Sequence, residues 1–260
     1  MRPLKVRGRT LNPQGPTLIC APLVARTADA LQAELASILP KHPDLIEWRV
    51  DFFEAIHDPN RVVDLARALR ATAGAIPILF TRRALHEGGE AIGIAEEAVV
   101  SLYEKVCASG AVDIIDYELS QAPENRARLR AASRTHGVAM IMSYHNFKTT
   151  PESLELVSKI IDAEQQGADM AKVAVMPQAP GDVFILLQAT LDASQRVQIP
   201  LITMSMGGAG AISRLIGWMY GSAMTFAVGS GSSAPGQMPI EDLRAALKAI
   251  QRTVDSVESP

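Results

Sequence analysis

One lysine stands in the run Asp169-Met170-Ala171-Lys172-Val173-Ala174-Val175, which is otherwise apolar after its first residue. Solvating an ammonium inside such a strand is costly, so burial favours the neutral amine. A neutral lysine amine attacks carbonyls to form Schiff bases, and the protonated imine then draws in electrons as a proton leaves the neighbouring carbon. That second step needs a base. In Met140-Ile141-Met142-Ser143-Tyr144-His145-Asn146-Phe147 the apolar run reads as a strand with His145 just past its C-terminal end. An imidazole with a pKa of about 6.5 takes and returns a proton at neutral pH. His42, His57, His86 and His136 lack that address and read as surface or packed residues. The alternative for Lys172 is a side chain that snorkels to a rim or pairs with Glu118.

Other ionisable residues interrupt apolar runs at regular spacing. In Ile46-Glu47-Trp48-Arg49-Val50-Asp51 the charges alternate, so a strand puts Glu47, Arg49 and Asp51 on one face and Trp48 and Val50 on the other. A structural ladder of ion pairs is the competing account of these three. Arg82-Arg83 runs into Glu87-Gly88-Gly89-Glu90, a tight glycine-permitted loop, and alternation lets only one of the two arginines point inward. Asp116 and Glu118 share a face and either pair with the arginines or orient a base. Gly207-Gly208-Ala209-Gly210 followed by Ser213-Arg214, and Ser232-Ser233-Ala234-Pro235-Gly236-Gln237, offer backbone N–H groups and one guanidinium to an anion. Carboxylate and phosphate both fit that pattern.

These residues need a scaffold that gathers strand ends. Short apolar runs alternate with helical periodicity from about residue 17 onward, the pattern of βα units around a parallel sheet. The runs 17–23, 44–51, 76–82, 112–119, 137–143, 169–175, 201–205 and 222–228 read as strands, one for each unit of a closed (β/α)8 barrel. An open doubly wound sheet has fewer strands and a glycine-rich first turn, whereas Val24-Ala25-Arg26 follows the first run here. Barrel chemistry sits at the C-terminal strand ends, where the singled-out residues fall. Pro59, Pro123, Pro151 and Pro239 mark helix starts, and residues 5–11 around Gly8 read as a short hairpin over one barrel end.

With 260 residues, no repeat and no linker, the chain reads as a single domain over 1–260. A net charge of -3, from 28 acids and 25 bases, attracts neither nucleic acid nor an anionic membrane. Cys20 and Cys107 lie in apolar runs without zinc spacing, so no metal site is expected. The N-terminus lacks the apolar core of a signal peptide, and no stretch approaches the ~18 apolar residues of a membrane span, so the expected location is cytoplasmic.

The ordered set EWRVD (47–51), TRR with EGGE (81–90), DYEL (116–119), SYHNF with TP (143–151), AKVAVMPQ (171–178), TMSMGGAGAISR (203–214) and SAPGQ (233–237) resembles type I 3-dehydroquinate dehydratase over residues 17–250. The resemblance implies a (β/α)8, or TIM, barrel lyase that dehydrates 3-dehydroquinate. It further implies that Lys172 forms the imine, His145 is the general acid and base, and Glu87 holds and polarises His145. Arg214 would meet the substrate carboxylate, while Glu47, Arg49, Arg83, Ser233 and Gln237 would grip the ring hydroxyls, the last two from a closing loop. Met204 and Met206 would line an apolar wall. No cofactor is implied, and a homodimer is. Asn146 and Ala21 depart from residues often found at these positions, which touches contacts to a hydroxyl. Two other readings fit the residues alone: an aldolase or transaldolase acting on a phosphorylated sugar, and a catalytically silent barrel that binds a ligand or partner. The chain ends without a dinucleotide-binding segment, so a bifunctional enzyme is not expected.

Overall fold

A computed structural model of the chain describes residues 1–12 and 15–257. Among them a hairpin, β1 (Leu4–Val6) and β2 (Arg9–Leu11), precedes eight strands: β3 (Leu18–Leu23), β4 (Leu45–Arg49), β5 (Ile78–Thr81), β6 (Ile114–Glu118), β7 (Ala139–Asn146), β8 (Met170–Val175), β9 (Leu201–Ser205) and β10 (Met224–Phe226). These eight pair in parallel in the order β10-β3-β4-β5-β6-β7-β8-β9. A parallel bridge between Leu201 and Ser222, just ahead of β10, joins the two ends. Thr203 N–H donates to the Ser222 hydroxyl at 3.0 Å on the same seam. The ring is therefore the closed barrel expected from the alternation, and no helix among the described residues is long and apolar enough to cross a membrane.

The outer helices are α1 (Ala28–Ile38), α2 (Pro59–Ala73), α3 (Glu96–Ala108), α4 (Pro123–Thr135), α5 (Ser153–Gln165), α6 (Pro180–Ser194), α7 (Gly207–Ile216) and α8 (Ile240–Val257). Pro59 and Pro123 open α2 and α4 as expected, because the first helical turn has no use for their missing N–H. Asp58 adds a cap at α2 by accepting from Asn60 and Arg61 N–H. Pro151 and Pro239 instead precede their helices. Glu152 is extended and its carbonyl is the first to accept in α5, while Pro239 bridges to Val228 and delays α8.

Strand alternation divides the apolar residues into two cores. Trp48, Val50, Phe80, Tyr103 and Tyr117 belong to the shell between sheet and helices. Cys20, Leu45, Leu79, Ile114, Ile141, Met170, Ile202 and Met224 fill the lumen near the strand starts, together with Val6 and Leu11 of the hairpin. Leu11 is completely buried there. Burying one such side chain contributes about 1.5–3 kcal/mol. Gly8, with φ 74°, makes the hairpin turn, and Arg7 donates to Asp113 at 2.6 Å to fasten it beneath β6. The lumen floor is thus sealed, and the polar strand residues are confined to the opposite end.

Candidate active site at the C-terminal strand ends

The period-two geometry of the strands brings Glu47 and Arg49 of β4, Asp116 and Glu118 of β6, Ser143 and His145 of β7, and Lys172 and Ala174 of β8 to the lumen side. A cavity at this end is lined by Glu47, Arg49, Arg83, Glu87, His145, Lys172, Met204 and Met206, with Ser233 and Gln237 from the segment after β10. All these residues were singled out in the sequence. Phe147, Ala174, Phe226 and Ala234 line it too, although only their position near strand ends hinted at it.

Lys172 is 5% exposed, so its Nζ depends on protein partners. Its Nζ lies 3.0 Å from Asp116 Oδ2 and 3.7 Å from Glu47 Oε1, and stands 4.6 Å from the centre of the Phe226 ring. The lone desolvated amine expected from the apolar strand is therefore corrected: two carboxylates flank it. The partner is Asp116 rather than Glu118. Glu118 is already engaged by Ala84 N–H at 2.8 Å and by Arg83 at 3.0 Å. Burial alone would raise the Asp116 carboxyl, but the Arg83 guanidinium and Lys172 outweigh it and hold the acid below the usual carboxylate range.

Of the two adjacent arginines, Arg83 lines the cavity. It sits 2.8 Å from Asp116 and donates to the Ser143 hydroxyl at 2.8 Å. Arg82 turns to Glu96 on α3. Arg49 forms a forked pair with Asp51, at 2.9 and 2.7 Å, and lies 5.0 Å from the Phe52 ring centre. Asp51 is not a strand residue as expected, because the chain leaves the sheet at Arg49 and enters a 3-10 turn, Val50–Phe52. From that turn Asp51 also accepts from Arg83 and Glu90 N–H, tying the connection after β4 to the one after β5.

His145 lies within β7 and not beyond it, since the strand runs on to Asn146 opposite Val175. Its Nδ1 faces Glu87 Oε2 at 2.9 Å and its backbone N–H donates to the same oxygen at 3.0 Å. With Nδ1–H directed at Glu87, Nε2 is the atom left to act as a base. Burial, and then the positive charges of Arg83 and Lys172, push the imidazole well below its ordinary value, so it is neutral near pH 7. Burial pushes Glu87 up to about 7, against the opposing pull of Arg83 and of a Ser120 hydrogen bond. Glu87 ends the 3-10 turn Leu85–Glu87. Its loop closes only because Gly89 has no side chain: a Cβ there would lie 1.9 Å from the Arg83 carbonyl oxygen.

Arg214 does not itself line the cavity. It stands behind the wall, with Nη1 3.5 Å from Met204 Sδ and 3.4 Å from the Phe226 carbonyl, and Nη2 3.3 Å from the Pro235 carbonyl. No carboxylate among the described residues pairs with this 2% exposed guanidinium, and its Nε has no partner. Burial lowers it to about 10, which leaves it cationic at neutral pH.

The segment after β10 roofs the cavity. Gly207 N–H donates to the Pro235 carbonyl at 3.1 Å, and Arg49 reaches the Ser233 carbonyl at 3.4 Å. Ser233 and Gln237 bond to each other through the Gln237 amide, at 3.2 and 3.1 Å. About 40 Å³ remains free beneath them, room for only a few water molecules.

The family model for type I 3-dehydroquinase matches residues 19–254. The chain belongs to that family. A 3-dehydroquinate dehydratase of Albidiferax ferrireducens is 51% identical over 97% of this chain and 96% of its own length. The crystal structure of 3-dehydroquinate dehydratase from Geobacillus kaustophilus superposes with a TM-score of 0.94 at 48% identity, covering 96% of this chain and 97% of that one. The type I enzyme of Clostridium difficile, whose structure holds covalently modified comenic acid, gives a TM-score of 0.93 at 36% identity over 97% and 99% of the two chains. Membership of this family sets aside the aldolase and silent-barrel readings.

Proposed function

We propose that this chain removes water from 3-dehydroquinate to give 3-dehydroshikimate, a step of the shikimate pathway, through an imine on Lys172 with His145 as acid and base. The observation that carries this reading is that Lys172 and His145, on adjacent strands, line one roofed cavity. Lys172 condenses with the ring ketone and releases one water. His145 Nε2 then takes a proton from the adjacent carbon, and the electron pair moves into the iminium to form an enamine. The enamine expels the hydroxyl as the imidazolium returns that proton to it, releasing a second water. Hydrolysis of the conjugated imine consumes one water and frees Lys172. The net loss is one water, and the cycle balances on side chains and substrate alone. Asp116 and Glu47 counter the positive charge of the iminium, and Glu87 counters that of the imidazolium. Incubation with 3-dehydroquinate, monitored by enone absorbance and followed by borohydride reduction, tests the scheme. The added mass must map to Lys172.

Arg214 fits the substrate carboxylate because a buried cation without a counter-ion is expensive until an anion arrives. Glu47, Arg49, Arg83, Ser233 and Gln237 take the ring hydroxyls, while Met204 and Met206 form the apolar wall. Replacing Arg214 by leucine is expected to lower kcat/KM by about 10²-fold or more, mostly through KM, the scale of losing one charged partner. The melting temperature of the unliganded protein should fall only slightly, since no resting ion pair is lost and the bonds given up to Met204, Phe226 and Pro235 are long ones. Steady-state kinetics with thermal unfolding checks both halves of the expectation.

The same reading makes the enzyme cytoplasmic, with residues 1–260 as one catalytic domain. It also makes it a homodimer. Support for a second copy comes from the exposed apolar side chains Phe184 of α6, Ile212 of α7 and Met219 in the following turn. Sedimentation velocity at micromolar concentration should give twice the mass of one chain.

A further inference from the structure

Glu87 has a second set of contacts on the side away from His145. The Ser120 hydroxyl, just beyond the end of β6, donates to Glu87 Oε1 at 2.5 Å. His86 Nε2 lies 3.1 Å from the same hydroxyl and 4.0 Å from Glu87 Oε1. The side chain of Glu87 is 3% exposed and that of His145 7%, whereas His86 is 62% exposed. The four groups form one hydrogen-bonded row running from solvent to the cavity. Neither Ser120 nor His86 touches the cavity.

We propose that Ser120 is a positioning residue for the reaction: its hydroxyl, oriented by His86, fixes Glu87 so that a carboxylate oxygen accepts from His145 Nδ1–H. The proposal rests on His145 being the base. Oε2 already accepts the His145 backbone N–H, so among the described residues the only side-chain donor to the other oxygen, Oε1, is Ser120. Without that donor the carboxylate loses both its aim and a bond that favours its ionised form. The charged groups facing Glu87 pull in opposite senses: Arg83 favours the carboxylate, Glu118 and Asp116 oppose it. Glu87 therefore stands near the balance point, and one neutral hydrogen bond is enough to shift it.

The consequence concerns which imidazole nitrogen bears the proton. An ionised Glu87 accepts from Nδ1–H and leaves Nε2 free to take a proton from the substrate. A protonated Glu87 donates to Nδ1 instead, puts the ring proton on Nε2 and blocks that step. Activity carried by the ionised form rises with pH through the Glu87 value of about 7 and is lost below it. Losing the Ser120 bond raises that value further, so the acid limb must move to higher pH.

The test is the pH profile of kcat/KM for Ser120→Ala, Ser120→Thr and His86→Gln. In Ser120→Ala the acid limb should move up by about one pH unit, the scale of one hydrogen bond to a charged group. At pH 6.5 this is roughly a 10-fold loss, shrinking toward pH 9. Threonine should return the limb toward its original place, and His86→Gln should shift it upward by less. In protein labelled with 15N-histidine, Ser120→Ala should move the His145 ring toward Nε2–H at pH 6.5. A Ser120→Ala profile superimposable on the parent, or an equal loss at every pH, overturns the role of Ser120. If His145→Ala keeps turning over with the parent's acid limb, the base assignment beneath the proposal has failed instead.

Discussion

Alanine in place of Lys172 is expected to leave a folded protein that gains no mass when treated with 3-dehydroquinate and borohydride, and whose kcat falls by roughly 10⁴-fold or more. No other lysine lines the cavity. Asp116 keeps Arg83 at 2.8 Å and the Ser143 hydroxyl at 2.6 Å after the amine is removed, so its charge is not abandoned in the lumen. Circular dichroism should therefore match the parent. Intact-mass spectrometry reads the adduct directly. A full-yield adduct on this variant would place the nucleophile elsewhere.

His145→Ala should separate the two halves of the chemistry. Lys172 can still condense with the ketone, so borohydride still traps an adduct, though more slowly because the imidazole assists that step. Proton abstraction and hydroxyl departure lose their shared group, and kcat drops by about 10²–10⁴-fold, the usual worth of general acid–base catalysis. A single-turnover experiment with mass detection shows imine accumulating ahead of enone. Unimpaired turnover by the variant would remove His145 from the scheme.

Much of this arrangement could be read from the sequence, because period-two alternation in a buried strand leaves few places for a charge. Lys172, Glu47 and Arg49 follow directly from that geometry, whereas alternation says only that one of Arg82 and Arg83 points inward, and the fold shows which. The partners were harder. Asp116 and Glu118 share a face, and only the fold shows that Ala84 N–H and Arg83 hold Glu118 and leave Asp116 for Lys172. The spacing of Asp51 predicts a strand, but the sheet ends two residues earlier, and from its turn the carboxylate accepts from N–H donors of the connection between β5 and α3. Phe226 escaped notice because one aromatic residue in an apolar run carries no signal until a cation is found above it. Ser120 escaped for a related reason: an exposed serine after a strand looks like any turn residue until Glu87 is seen to lean on it.

The hairpin beneath the lumen has a further effect on turnover. With Leu11 stopping the barrel from below, reactant and product must pass through the same doorway under Ser233 and Gln237. Traffic in the two directions is then mutually exclusive, so 3-dehydroshikimate competes with 3-dehydroquinate for an open molecule. However fast the proton moves, throughput cannot exceed the frequency at which that one doorway is vacated.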